Sequence, residues 1–200
     1  MIDAGVLIMA GGEATRLPDK LVLDAGDVPM IVRVYRNVSP GRPTYVSCKT
    51  TFPSAIDTLL PCPMVVDEWA RRGPLAGMVT TMSVMPTRFV FAVAGDAPLI
   101  DTAFIDALVA QHLDGDEAVV PARTEGGRRT IEPLAALYDR AAFIAAGFEV
   151  LRAGEGALRL VLDRINTRYV DVTDTRIFMN VNTPSDYQRY RQEYSAGYTS

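Results

Sequence analysis

Gly5-Val6-Leu7-Ile8-Met9, followed at once by Ala10-Gly11-Gly12, is the stretch on which the fold turns. Five apolar residues without polar alternation describe a strand covered on both faces, because a half-exposed strand alternates. Glycines directly behind such a strand let the backbone come close to a ligand, with no side chain to obstruct it. The same rhythm recurs downstream. Further short apolar strands are predicted at 44–48, 64–66, 89–94 and 118–122. Helices are predicted between them at 30–37, 54–60, 74–85 and 101–112. Pro74 suits a first helical turn, where its missing N–H leaves nothing unpaired, and Asp101 or Thr102 can cap the fourth helix.

Buried strands alternating with helices predict an α/β fold, a mostly parallel central sheet covered on both faces. Right-handed crossovers then bring the loops that follow the strands to one edge, where open α/β sheets bind ligands. Gly11, Asp67 and Asp96 each lie just past a predicted strand end and are expected to converge there. Beyond Pro121 the rhythm changes. Residues 123–129 are polar and turn-rich, and 134–138 read equally as a strand or a helix start. Two helices at 141–153 and 157–165, a strand at 168–172 and a final helix from Pro184 complete the pattern. No repeat or linker interrupts it, so 1–200 reads as a single domain.

Composition narrows the chemistry. A chain of 200 residues, 48% hydrophobic and 22% charged, is globular and not disordered. A net charge of −4 with acids and bases mixed argues against a nucleic-acid scaffold, where a basic stripe is expected. Cys48 and Cys62 fit no metal spacing and read as reduced thiols of a cytoplasmic protein. No apolar run approaches the roughly 20 residues of a membrane helix, so no membrane partner is expected. The single histidine, His112, ends a predicted helix and reads as a surface residue, which counts against Ser-His or Cys-His chemistry. Phosphoryl-type transfer, mostly positioning and charge neutralisation, fits what remains.

Four motifs can carry it. Behind the first strand, Arg16 and Lys20 supply positive charge for a polyphosphate, with Arg16 expected one helical turn before Lys20. Asp96 in Gly95-Asp96-Ala97-Pro98 is placed to hold Mg²⁺ against phosphate oxygens. Asp67 precedes Arg71-Arg72-Gly73-Pro74-Leu75-Ala76-Gly77, whose glycines admit a ligand near a helix start, while Arg71 and Arg72 read as surface charge. In Asn180-Val181-Asn182-Thr183-Pro184-Ser185-Asp186, Thr183 caps the last helix and Asp186 sits by its N–H groups, whereas the two asparagines are free to meet a ligand or metal.

Taken in order, A-G-G…R…D-K, G-P-L-A-G, G-D-A-P, E-P-L-A-A-L-Y and N-V-N-T-P-S-D resemble the molybdenum cofactor guanylyltransferase family over about residues 6–190. The resemblance implies a three-layer Rossmann-like sandwich of the nucleotide-diphospho-sugar transferase type. It implies transfer of GMP from GTP to the phosphate of molybdopterin, or a related phosphorylated acceptor, with Mg²⁺ as cofactor and pyrophosphate released. Proteins of molybdenum cofactor biosynthesis are the implied partners. By the same resemblance, residues 1–122 bind nucleotide and 123–200 the acceptor. Met9, Ala10, Gly11 and Gly12 hold base and phosphates, with backbone N–H and C=O groups at Met9 to Gly11 expected to pair with the O6, N1 and N2 edge of guanine. Lys20 binds the triphosphate, and Arg16 matches the family arginine. Ser47, Asp67 and Gly77 lie at the nucleoside, Asp96 holds Mg²⁺ with Asn182 assisting, and Asn180 lines the acceptor side with residues 132–138. Two departures stand out. Arg16-Leu17-Pro18-Asp19-Lys20 is one residue shorter than the family loop. After a strand-like stretch at 21–23, Asp24-Ala25-Gly26-Asp27 replaces Gly-Lys-Pro. A cytidylyltransferase or sugar-phosphate nucleotidyltransferase on the same scaffold, and a relative that binds nucleotide without turnover, are the alternatives.

Overall fold

In the computed structural model, residues 3–11, 16–17, 19–67 and 73–194 are described. The expected Gly12, Pro18, Arg71 and Arg72 lie outside them. Strand β1 (Ala4–Met9) leads through a short 3₁₀ turn at Lys20–Val22 to helix α1 (Met30–Val38). Strand β2 (Thr44–Cys48), helix α2 (Ser54–Asp57), strand β3 (Met64–Val66) and helix α3 (Gly73–Val84) follow. Next come strand β4 (Phe89–Ala94), helix α4 (Thr102–Val109), and strands β5 (Ala118–Glu125), β6 (Arg128–Ile131) and β7 (Ala135–Asp139). Helices α5 (Arg140–Arg152) and α6 (Leu158–Leu162), strand β8 (Thr167–Asp171) and helix α7 (Pro184–Glu193) complete the chain.

All eight strands form one sheet in the order β3-β2-β1-β4-β7-β5-β6, with β8 also paired to β5. Strands β1 to β4 are mutually parallel. Strand β7 runs against both β4 and β5, and β8 runs with β5, so only β6 and β7 oppose the common direction. The apolar strands are covered on both faces, as their composition requires. In β1 and β4, Val6, Ile8, Phe91 and Val93 pack on one face with Ile31 and Val34 of α1 and Ile105 of α4. Leu7, Val90 and Ala92 pack on the other with Leu75 and Met78 of α3, Phe143 of α5 and Val161 of α6. These are the three layers expected from the sequence.

Two local expectations change. Residues 21–23 are not strand-like: Lys20–Val22 is a 3₁₀ turn, entered through Asp19 in the left-handed region (φ 55°). Consequently Arg16 does not lie one helical turn before Lys20. The polar, turn-rich stretch 123–129 is a hairpin. Gly126 and Gly127, both at positive φ (57° and 80°), make the two-residue turn between β5 and β6 that matches strand twist. The ambiguous 134–138 segment resolves as strand β7. Its Tyr138 hydroxyl, deep in the core, donates to the Pro133 carbonyl at 2.7 Å. No helix of the described residues is long and apolar enough to cross a membrane.

Helix α7 ties down the departure at residues 24–27. The Tyr187 hydroxyl donates to the Asp24 carbonyl at 2.7 Å, the Tyr190 hydroxyl to the Ala25 carbonyl at 3.2 Å, and Arg191 pairs with the Asp24 carboxylate. From α1, Arg33 Nε donates to the Ala25 carbonyl at 3.2 Å. Helix and loop are thereby fixed to each other, and with them the segments carrying Asn182 and Lys20.

Candidate functional site

Strand order reverses between β1 and β4: the chain moves outward through β2 and β3, then returns to the far side of β1. Loops leaving the two strands at such a point diverge and open a crevice at their carboxyl ends. The Gly95 N–H donates to the Met9 carbonyl at 2.9 Å, joining the crevice floor. Just above it, Lys20 Nζ bonds the Asp96 carboxylate and donates to Asn182 Oδ1 at 2.8 Å. Three candidates separated by 76 and 162 positions in sequence thus meet at one ammonium group. The Lys20 and Asp96 side chains keep only 15% and 10% of their exposure, so the pair is weakly screened by water. The Val181 N–H donates to the Asp96 carbonyl at 2.9 Å, which fixes the asparagine loop against the β4 end.

Next to this loop, α7 opens with a reciprocal cap. The Asp186 N–H donates to Thr183 Oγ1 at 3.1 Å, and the Thr183 N–H to Asp186 Oδ2 at 2.8 Å. Burial pushes the Asp186 carboxyl up. The Thr183 side-chain bond, the Asn182 and Thr183 backbone N–H groups and the charge of Arg16 outweigh it and hold the group below the usual carboxylate range. The charge of Arg16 is thus felt at the start of α7. Arg16 is exposed while Lys20 turns inward. Asn180 is exposed at the rim and forms no described hydrogen bond with the Lys20 group.

On the β2–β3 side a second cluster gathers the remaining nucleoside candidates. Asp67, just past β3, is buried, and its N–H donates to the Cys48 carbonyl at 2.8 Å. Gly77, in α3, faces it so closely that an added Cβ would stand 2.6 Å from Ser47 Oγ, 3.1 Å from Met9 Cε and 3.5 Å from Asp67 Oδ2. Ser47, Met9, Asp67 and Gly77 are thereby brought together. Lys49, which the sequence reading passed over, pairs with Asp67 (Nζ to Oδ2, 2.6 Å). It follows β2 as Gly11 follows β1, and that strand-end position was the available signal. On the β7–β5 side, Arg123 Nε pairs with Glu132 Oε1 at 2.8 Å.

Two backbone groups of the segment from Met9 to Gly11 have partners within the sheet. The Ala10 N–H donates to the Ser47 carbonyl at 2.7 Å, and the Met9 carbonyl already accepts from Gly95. These two groups serve the sheet. His112 has a structural place: Nε2 lies 3.0 Å from the Asp116 carbonyl, and the ring meets Phe89 edge-on.

The donor set at the crevice suits a hard divalent cation. One carboxylate and one carboxamide oxygen converge on a single positive charge, and Mg²⁺ is commonly held by one or two carboxylates plus substrate phosphates. Among the described residues no group of three or more His, Cys, Asp or Glu forms a dedicated metal cage.

Residues 6–171 match the MobA-like NTP transferase domain. A probable molybdenum cofactor guanylyltransferase of Natronomonas pharaonis is 31% identical, over 94% of this chain and 97% of its own. The molybdenum cofactor guanylyltransferase of Vibrio cholerae is 27% identical, over 94% of this chain and 91% of its own. The crystal structure of molybdopterin-guanine dinucleotide biosynthesis protein A from Archaeoglobus fulgidus shares the fold with a TM-score of 0.79 at 21% identity, covering 94% of this chain and 97% of that one.

Proposed function

The chain belongs to the MobA-like NTP transferase domain family, and from that membership we propose that it transfers GMP from GTP to the phosphate of molybdopterin, releasing pyrophosphate. The observation that carries the reading is the meeting of Lys20, Asp96 and Asn182 at the carboxyl edge between β1 and β4. A lysine, a carboxylate and a carboxamide around one point can bind and orient a metal-complexed triphosphate without any histidine base.

In this reading the nucleoside lies towards β2 and β3, beside Met9, Ala10, Gly11, Gly12, Ser47, Asp67 and Gly77. The triphosphate crosses the crevice, where Lys20 and Arg16 neutralise it. The acceptor enters from the β7–β5 side, past Asn180, Asn182 and Glu132. Residues 1–122 thus serve the nucleotide and 123–200 the acceptor. An oxygen of the acceptor phosphate, already ionised at neutral pH, forms a bond to the α-phosphorus of GTP as the bond to the β-phosphate breaks. The electron pair leaves with pyrophosphate, so no general base is needed. Lys20 and Arg16 stabilise that departing charge, and the low exposure of Lys20 strengthens its part. Mg²⁺ bound at Asp96, with Asn182 assisting, would offset charge on the α- and β-phosphates.

Pyrophosphate release tests the proposal. Release requiring GTP, Mg²⁺ and molybdopterin together is expected. Release with CTP in place of GTP would move the chain to the cytidylyl class, and binding of GTP without release would make it a non-catalytic relative.

A further inference from the structure

Lys49 sits where β2 leaves the sheet. Its Nζ donates to Asp67 Oδ2 at 2.6 Å, and its stem runs beside the glycine loop, with Cγ 3.5 Å from where a Gly11 Cβ would be. Asp67 is the covered member, with 3% of its side chain exposed against 39% for Lys49. The same carboxylate oxygen lies 3.5 Å from the position of a Gly77 Cβ. A strong donor and a strong acceptor thus stand side by side, the donor's stem against Gly11 and the acceptor close to Gly77. The nearby backbone groups at Ala10 N and Met9 O are committed to the sheet.

We infer that the Lys49–Asp67 pair reads the base and selects guanine, an assignment that rests on the nucleoside lying at the β2–β3 side as proposed above. The order of groups on the bases decides it. Guanine presents the O6 acceptor beside the N1–H and N2–H₂ donors. Lys49 can donate to O6 while Asp67 accepts from N1–H and N2–H₂. Adenine presents its N6–H₂ donor beside the N1 acceptor, and cytosine its N4–H₂ donor beside the N3 and O2 acceptors. Against this pair both orders are reversed. A wrong base sets like against like, its donor facing the Lys49 ammonium and its acceptor facing the nearly buried Asp67 carboxylate, a penalty larger than that of a merely loose fit. Selection works here by repelling the competitors as well as by attracting guanine.

The test is competition of GTP, ATP and CTP against labelled GTP, with Mg²⁺ present, on wild type, Lys49→Met and Lys49→Arg. Wild type is expected to bind GTP at least about tenfold more tightly than ATP or CTP. Lys49→Met should lose about tenfold for GTP and little for ATP and CTP, erasing the preference. Lys49→Arg, which keeps the charge and the donors, should recover part of it. With the wild-type preference present, equal losses for all three nucleotides in Lys49→Met would mean that Lys49 serves sugar, phosphates or loop packing, and would overturn the inference alone. A GTP preference that survives Lys49→Met would do the same. Wild type without a GTP preference would overturn the guanylyl reading, and this inference with it.

Discussion

Replacing Asp96 by asparagine should separate chemistry from folding. The variant keeps the shape of the side chain and an oxygen that can still accept from Lys20, but removes the charge. Breaking one partner of a fully buried ion pair costs about 3–5 kcal/mol. Here Lys20 and Asp96 retain 15% and 10% exposure, and Lys20 keeps Asn182 Oδ1 as a second acceptor at 2.8 Å. The stability cost should therefore be nearer 1 kcal/mol, a fall in Tm of about 2–4 °C for a domain of this size. Turnover should suffer far more. A carboxylate that orients the metal-complexed triphosphate contributes to the transition state itself, and its loss should slow GMP transfer on the order of a thousandfold, about 4 kcal/mol. Steady-state pyrophosphate release at saturating GTP and acceptor, alongside a thermal melt, reads both quantities. A folded Asp96→Asn protein with near-normal turnover would remove Asp96 from the mechanism.

Lys20→Ala should weaken GTP binding by about tenfold or more and leave guanosine binding unchanged, since its partner is the phosphate chain; equal losses for both in a titration would defeat the assignment. In Gly77→Ala the new methyl group would stand 2.6 Å from Ser47 Oγ and 3.1 Å from Met9 Cε, both side-chain ends that can turn aside. Its Tm should change little while affinity for GTP falls about tenfold, and unaltered affinity would place the nucleoside elsewhere. Asp186 has a carboxyl held below its usual range, so its contribution is full above the unfolded value near 3.9 and is lost as pH falls through the lower folded value. Asp186→Asn should cost about 1 kcal/mol at pH 7 through loss of the cap. The gap from wild type should close on acidification below about pH 4, and denaturant melts showing a gap independent of pH would contradict this.

Much of the scaffold was legible because burial on both faces forces uniform apolar runs. The strands at 44–48, 64–66 and 89–94 lie as expected, and the Thr183–Asp186 cap follows from its residue types alone. The convergence of Gly11, Asp67 and Asp96 was equally accessible, since parallel strands put their carboxyl ends on one edge. The pairings were not. Lys20 meets Asn182 only because Tyr187, Tyr190 and Arg191 of α7 hold residues 24–25, a tertiary contact that no local pattern announces. Residues 21–23 looked strand-like because three apolar-rich residues carry too little period to separate a strand from a 3₁₀ turn. Lys49 escaped notice because an exposed lysine behind a strand reads as ordinary surface charge until Asp67 is seen beside it.

GTP labelled at the α-phosphate, incubated with the protein, Mg²⁺ and molybdopterin, tests the account most directly, because it follows the atom at which the bond is made. The account predicts that the α-label moves into a product containing both guanosine and the acceptor, while label placed at the γ-phosphate appears in pyrophosphate. Label at the γ-phosphate released as inorganic phosphate, with the α-label left in GDP, would mean cleavage at the wrong phosphorus and would contradict it.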